Sequence, residues 1–247
     1  MILVDKFSSE AGVIYILRSI VTGAYAYWQG DCCHSEIDAN GVSLAPYIHA
    51  IYDLIRQSEA QNILMIGCAG GTLATILTRA GQTVTIVDIE PKSFEIARRY
   101  FNLPPEAICV VDDGLNYLRT TDQRFSAIVV DAFAHGTIPP HLRSAAFFEA
   151  VRSRLSVGGH VYLNIIIEDD FDPSMNRIAH MLSETGFNVS ILDTKGAMGR
   201  NAVIVAGEQI SFARPRLTVK PSVMRHKLRN ELERMQFYTW LALAPSH

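Results

Sequence analysis

The chain is 247 residues long, 49% hydrophobic and 19% charged, with a formal net charge of −3. That supplies core material for one large domain, or a domain with an appendage, and gives no basic footprint for nucleic acid or an anionic membrane. No apolar run reaches transmembrane length, no signal-peptide pattern opens the chain, and Cys32, Cys33, Cys68 and Cys109 follow neither metal-ligand nor secreted-disulfide spacing. The expectation is a reduced, cytoplasmic protein with no metal, no membrane and no nucleic-acid partner.

The first 45 residues differ from the rest. Residues 13–18 and 24–28 are rich in β-branched and aromatic side chains around a Thr22-Gly23 turn, and 33–37 is a candidate third strand. This predicts a small N-terminal antiparallel β element over 1–45, an α/β region over 46–212 and a helical tail over 213–247. The β element either extends the core or forms a lid wall or a dimer contact. Residues 44–56 read as a helix with Leu44, Ile48, Ile51, Tyr52 and Ile55 on one face and His49 among them.

The stretch 62–91 then reads as strand, glycine turn, helix, strand. Residues 63–66 are a short apolar run of the kind buried on both faces of a parallel sheet. Gly67, Gly70 and Gly71 break it, allowing a sharp turn and close approach of a ligand to the main chain. Residues 72–77 continue as a helix, and 83–87 as a strand ending in Asp88. A carboxylate about twenty residues after such a turn stands where a ribose diol is held in a nucleotide-binding doubly wound fold. The same pattern also serves as one βαβ unit of any α/β protein.

A helix over 91–100 leads to a third strand, 107–111, which ends in Asp112-Asp113-Gly114. Two adjacent carboxylates cost desolvation unless they meet water or a partner; a helix N-cap accounts for one and a ligand for the other. A fourth strand, 125–130, ends in Asp131. The long loop after it holds His135, the other acid–base candidate beside Asp131. A helix over 144–155, a Gly158-Gly159 turn, a strand over 160–167 and an acidic loop at 168–172 follow. That loop is either solvated or a counter-charge for a cationic substrate. A helix over 176–184 precedes two strands, 187–192 and 202–205, expected as an antiparallel edge pair. Residues 223–240 follow as an amphipathic helix, packed on the domain or against a second copy.

Seven strands alternating with helices, the glycine turn and the acids at the strand ends resemble the class I S-adenosylmethionine-dependent methyltransferase fold. This is an α/β, doubly wound, seven-stranded, mostly parallel Rossmann-like sheet. Within it, VVDDGLNYL (110–118), FSAIVVDAF (125–133) and AFFEAVRSRLSVGGHVYLN (146–164) resemble the spermidine synthase (polyamine aminopropyltransferase) family, well over 60–207 and loosely before that. The resemblance implies S-adenosylmethionine or its decarboxylated form as co-substrate, a small-molecule amine as acceptor, and a homo-oligomer, commonly a dimer. It implies that Gly67, Gly70 and Gly71 run along the nucleoside, that Asp88 takes the ribose hydroxyls with Ile89 beside it, and that Asp113 with Gly114 reads the adenine amino group next to Asp112. Asp131 becomes the acid of the catalytic loop. The family's glycine loop carries an aspartate where Gly70 stands, and its catalytic loop a second aspartate where Ala134 stands. Its N-terminal Tyr-His pair is matched only by Tyr47-Ile48-His49. His135 is the candidate replacement base. Two alternatives stay open: a small-molecule methyltransferase, favoured if Gly70 leaves room for the methionine carboxylate, and a non-catalytic adenosyl-nucleoside binder.

Overall fold

The computed structural model describes residues 1–134, 136–209 and 211–240. Four strands, β1 (Ile2–Ser9), β2 (Gly12–Arg18), β3 (Tyr25–Gln29) and β4 (Cys32–Ile37), form an antiparallel meander. β1 lies within the expected β element, but the sequence does not mark it as a strand: Asp5, Phe7 and Ser9 alternate as half-buried residues, and of these only Phe7 is apolar and packs on the small core. On the inner face of the meander, Ile14, Ile16, Tyr27 and Ile37 pack on Ile96 and Phe101. This seats the small sheet on the main domain, beside the glycine turn.

The main domain follows as α1 (Pro46–Gln57), β5 (Asn62–Ile66), α2 (Thr72–Arg79), β6 (Thr83–Asp88), α3 (Pro91–Tyr100), β7 (Ile108–Val111), α4 (Gly114–Thr120) and β8 (Phe125–Val130). A 3-10 turn (Pro140–Arg143), α5 (Ala145–Arg154), β9 (Leu155–Ile167), α6 (Ser174–Glu184), β10 (Asn188–Asp193), β11 (Arg200–Gly207), α7 (Arg225–Arg234) and β12 (Gln236–Thr239) complete it. The sheet order is β12-β10-β11-β9-β8-β5-β6-β7, with β5 to β9 parallel and the β12, β10, β11 side antiparallel. One side packs on α1, α2, α3 and α7, the other on α4, α5 and α6.

The Rossmann-like architecture is the one expected, with one strand more. The extra strand, β12, comes from the tail: the helix ends at Arg234 and the chain pairs with β10, so β10 and β11 are interior strands rather than an edge pair. The expected turn at Gly158-Gly159 is a break in register inside β9, where Phe125 pairs Leu155 but Ala127 already pairs His160. Sequence order reverses between β5 and β8, the crevice where open α/β sheets bind ligands at the strands' carboxyl ends.

Candidate functional site

That crevice is built by close backbone contact. Asp131 N donates to Ile66 O at 2.9 Å, and Gly67 N to Val87 O at 2.9 Å, tying the ends of β8, β5 and β6 together. Gly67 has φ +99°, and a Cβ there would lie 2.3 Å from the Asp131 carbonyl oxygen. Only glycine lets the turn lie against Asp131. Gly71 opens α2 in the left-handed region.

Gly70 corrects one expectation. Its N–H donates to Ser35 Oγ at 3.1 Å, and a Cβ there would sit 2.8 Å from both Phe101 and Ser35. The missing acid therefore leaves no opening: the small sheet and α3 occupy that side.

Asp88, at the end of β6, braces the turn. Its Oδ2 accepts from Cys68 N at 2.7 Å and its Oδ1 from Glu90 N at 2.8 Å. Burial pushes its carboxyl above the usual range, and those backbone bonds oppose it. A carboxylate has about four acceptor positions, so these two bonds leave acceptor capacity free. Ile89, next along, is 72% exposed, an apolar side chain standing in solvent at the sheet edge.

The paired acids resolve unequally. Asp113 is the N-cap of α4, its Oδ1 accepting from Leu115 N and Asn116 N at 3.0 Å each. Its Oδ2 lies 2.7 Å from His141 Nε2 in the 3-10 turn. Burial pushes its carboxyl up, but the cap bonds and His141 outweigh that and hold it below the usual range. Asp112 Oδ1 accepts from Asp113 N and Asn116 Nδ2, both at 2.8 Å. The cap is thus Asp113, the residue expected to face the ligand, and Gly114 is buried as the first residue of α4. Nothing in the sequence marked His141, which ties the loop after β8 to the end of β7.

Asp131 sits at the centre of a side-chain chain. Its Oδ2 accepts from the Tyr47 hydroxyl at 3.1 Å and its Oδ1 from Asn164 Nδ2 at 2.8 Å. Asn164 Oδ1 in turn accepts from Asn201 Nδ2 at 3.0 Å. Burial pushes the Asp131 carboxyl up, partly offset by these two donors. Tyr47 is pushed well up by burial and by the neighbouring carboxylate, so its hydroxyl keeps its proton. Tyr47 enters from the first turn of α1, Asn164 from β9 and Asn201 from β11. Asn164 did carry a signal, a lone polar residue inside the apolar run of β9, and it is 1% exposed.

The remaining candidates fall elsewhere. His135 lies outside the described residues. His49 points into the core, fully buried, with Nε2 2.8 Å from Ser43 O. The acidic loop is engaged internally: Asp170 accepts from Arg200 and Gly196, and Asp172 from Ser174 and Glu168. Among the described residues no group of three His, Cys, Asp or Glu is placed to hold a metal, and no helix is long and apolar enough to cross a membrane. An open depression of about 610 Å³ beside Tyr52, Arg56 and Gln82 lies at the opposite edge of the sheet, away from these groups.

Residues 63–159 match a family model described as a methyltransferase domain. A probable polyamine aminopropyl transferase of Bifidobacterium longum is 31% identical over 121 residues, 48% of this chain and 27% of that protein. A polyamine aminopropyltransferase of Salmonella paratyphi A is 28% identical over 156 residues, 57% of this chain and 54% of that protein. The chain thus spans between about a quarter and about half of the length of these curated relatives. A solved probable spermidine synthase from Corynebacterium glutamicum superposes with a TM-score of 0.79 at 18% identity, covering 97% of this chain and 91% of that one. The spermidine synthase of Thermotoga maritima gives 0.59 at 17%, covering 85% and 74%. At these identities the structural likeness is one of fold.

Proposed function

We propose that the chain is a transferase that binds an S-adenosylmethionine-derived nucleoside over the ends of β5, β6 and β7 and uses Asp131 to deprotonate an amine acceptor. The likeness to polyamine aminopropyltransferases supports an aminopropyl group, from the decarboxylated donor, as the group transferred. The observation that carries this reading is the half-buried Asp131 carboxylate, held by Tyr47 and Asn164 against the glycine turn.

Gly67 brings the main chain to the nucleoside, Asp88 offers its free acceptor positions to the ribose hydroxyls, and Ile89 offers an apolar surface to the base. For Asp113, whose carboxylate already has three partners, the adenine role rests on what acceptor capacity its cap leaves. The donor supplies an electrophilic carbon on a sulfonium. As the acceptor nitrogen forms the C–N bond, the C–S pair leaves with methylthioadenosine. Asp131 takes the nitrogen's proton, and its raised pKa brings it closer to the working pH of a general base. Holding two reactants in one crevice supplies most of the remaining acceleration.

The test is by-product release. With the decarboxylated donor and amines, methylthioadenosine is expected, and Asp131→Asn lowers kcat by about a hundredfold or more with donor affinity kept. Full activity in that variant removes Asp131 from the mechanism. The match to a methyltransferase domain favours a second reading, methyl transfer from S-adenosylmethionine, which releases S-adenosylhomocysteine instead.

A further inference from the structure

A cavity of about 260 Å³ opens where the start of α1, the β10–β11 turn and α7 meet. Its wall includes Tyr47 and Asn201, the two ends of the hydrogen-bonded chain through Asp131. Asp131 is not itself on the wall; the cavity is separated from the proposed base by Tyr47, whose hydroxyl donates to Asp131.

The charges on that wall are unevenly matched. Arg200 faces the cavity, but Asp193 receives its Nε and Nη2 at 2.7 and 2.8 Å, and Asp170 its Nη2 at 2.7 Å. Its charge is neutralised from behind. Glu231 has Lys227 Nζ at 3.8 Å. Arg234, one turn further along α7, has no carboxylate within ion-pair distance among the described residues. The helix that carries this pair is fixed, not loosely apposed. Leu228, Leu232 and Met235 are buried beneath it, and the segment before it is strapped down where Asp53 accepts from Arg216 N and Asp38 from Ser222.

A di- or polyamine is cationic along its length and calls for carboxylates along its groove. This wall offers one, Glu231, beside an unpaired guanidinium that repels a second ammonium. We propose that the cavity is the acceptor site and that the acceptor is an amine bearing a carboxylate or other anionic group, with Arg234 as the residue that selects it. Its free amine reaches Asp131 past Tyr47, its anionic end pairs with Arg234, and any further ammonium meets Glu231. This rests on the proposed transferase reading and deepens it.

Ornithine and putrescine differ by one carboxylate and serve as probes. kcat/KM is measured for each with the decarboxylated donor, from methylthioadenosine, and with S-adenosylmethionine, from S-adenosylhomocysteine. The expected result is a preference for ornithine of about tenfold or more. In R234Q, with an unchanged melting temperature as folding check, KM for ornithine rises and that for putrescine falls. A wild-type preference for putrescine, or R234Q shifting both amines alike, overturns the inference. If methylthioadenosine forms in that case, the aminopropyl reading stands without it. Ornithine-dependent S-adenosylhomocysteine supports the acceptor class and removes the aminopropyl donor. No product from either donor overturns both.

Discussion

An ionised Asp131 only accepts hydrogen bonds, so Asn164 must turn its Nδ2 toward it, which leaves Asn164 Oδ1 in need of a donor. Asn201 Nδ2 supplies that donor at 3.0 Å. Asn201 therefore acts on Asp131 through Asn164: without it the amide is free to rotate and present oxygen to the carboxylate, which repels the ionised form. Tyr47 acts directly, through its 3.1 Å bond. A hydrogen bond to a charged group contributes about 1.5–3 kcal/mol, equivalent to about 1–2 pKa units. A base works only when ionised, so activity falls as pH drops through the pKa of Asp131, already raised by burial. Removing a donor raises it further. The acid limb of kcat/KM is expected to move to higher pH by about 1–2 units in Tyr47→Phe and in the same direction, by less, in Asn201→Ala. A limb that stays put in both variants means that some other group titrates.

The N-terminal sheet and the glycine turn are wedged together at Gly70, and this contact belongs to the elements rather than to any one side chain. β4 delivers Ser35 to Gly70 N, and α3 ends in Phe101 on the other side. Gly70 is not in the left-handed region, so a methyl group added there meets steric resistance and not backbone strain. Gly70→Ala is expected to lose about 1–3 kcal/mol, a fall in Tm of about 2–4 °C for each kcal/mol in a chain of this size, together with weaker donor binding as the turn shifts. Ser35→Gly removes one of the two opposing groups and should recover part of the loss in a double-mutant cycle. A Gly70→Ala variant as stable as wild type would show that the turn is pliable and that the small sheet does not set its position. The absent acid was visible in the sequence; that the small sheet fills its place was not, because residues 35, 70 and 101 meet only through tertiary packing.

The architecture of the whole molecule was legible where burial writes a pattern. Parallel strands buried on both faces appear as apolar runs, and the glycines and acids that end them mark the crevice. β1, only half-buried on one face, and β12, which follows α7 after a single residue, write no such pattern. The Tyr47–Asp131–Asn164–Asn201 chain spans four elements, so spacing does not foretell it. One property belongs to the fold as a whole, since α1 must dock for it to exist. His49 is fully buried, its Nε2 on Ser43 O and its Nδ1 without a partner, and burial lowers its pKa below the usual imidazole value. The unfolded chain then binds a proton, at about pH 6.5 and below, that the folded chain refuses. The stability from a neutral His49 is complete above that unfolded value and is lost as pH falls from there toward the lower folded pKa. His34, also lowered by burial, acts in the same sense. Tm is expected to fall between about pH 8 and about pH 5, and His49→Gln, which titrates nowhere in that window, should fall less although it is less stable at the upper end. Equal losses in the two proteins would assign the acid sensitivity to other groups and leave His49 an ordinary core residue.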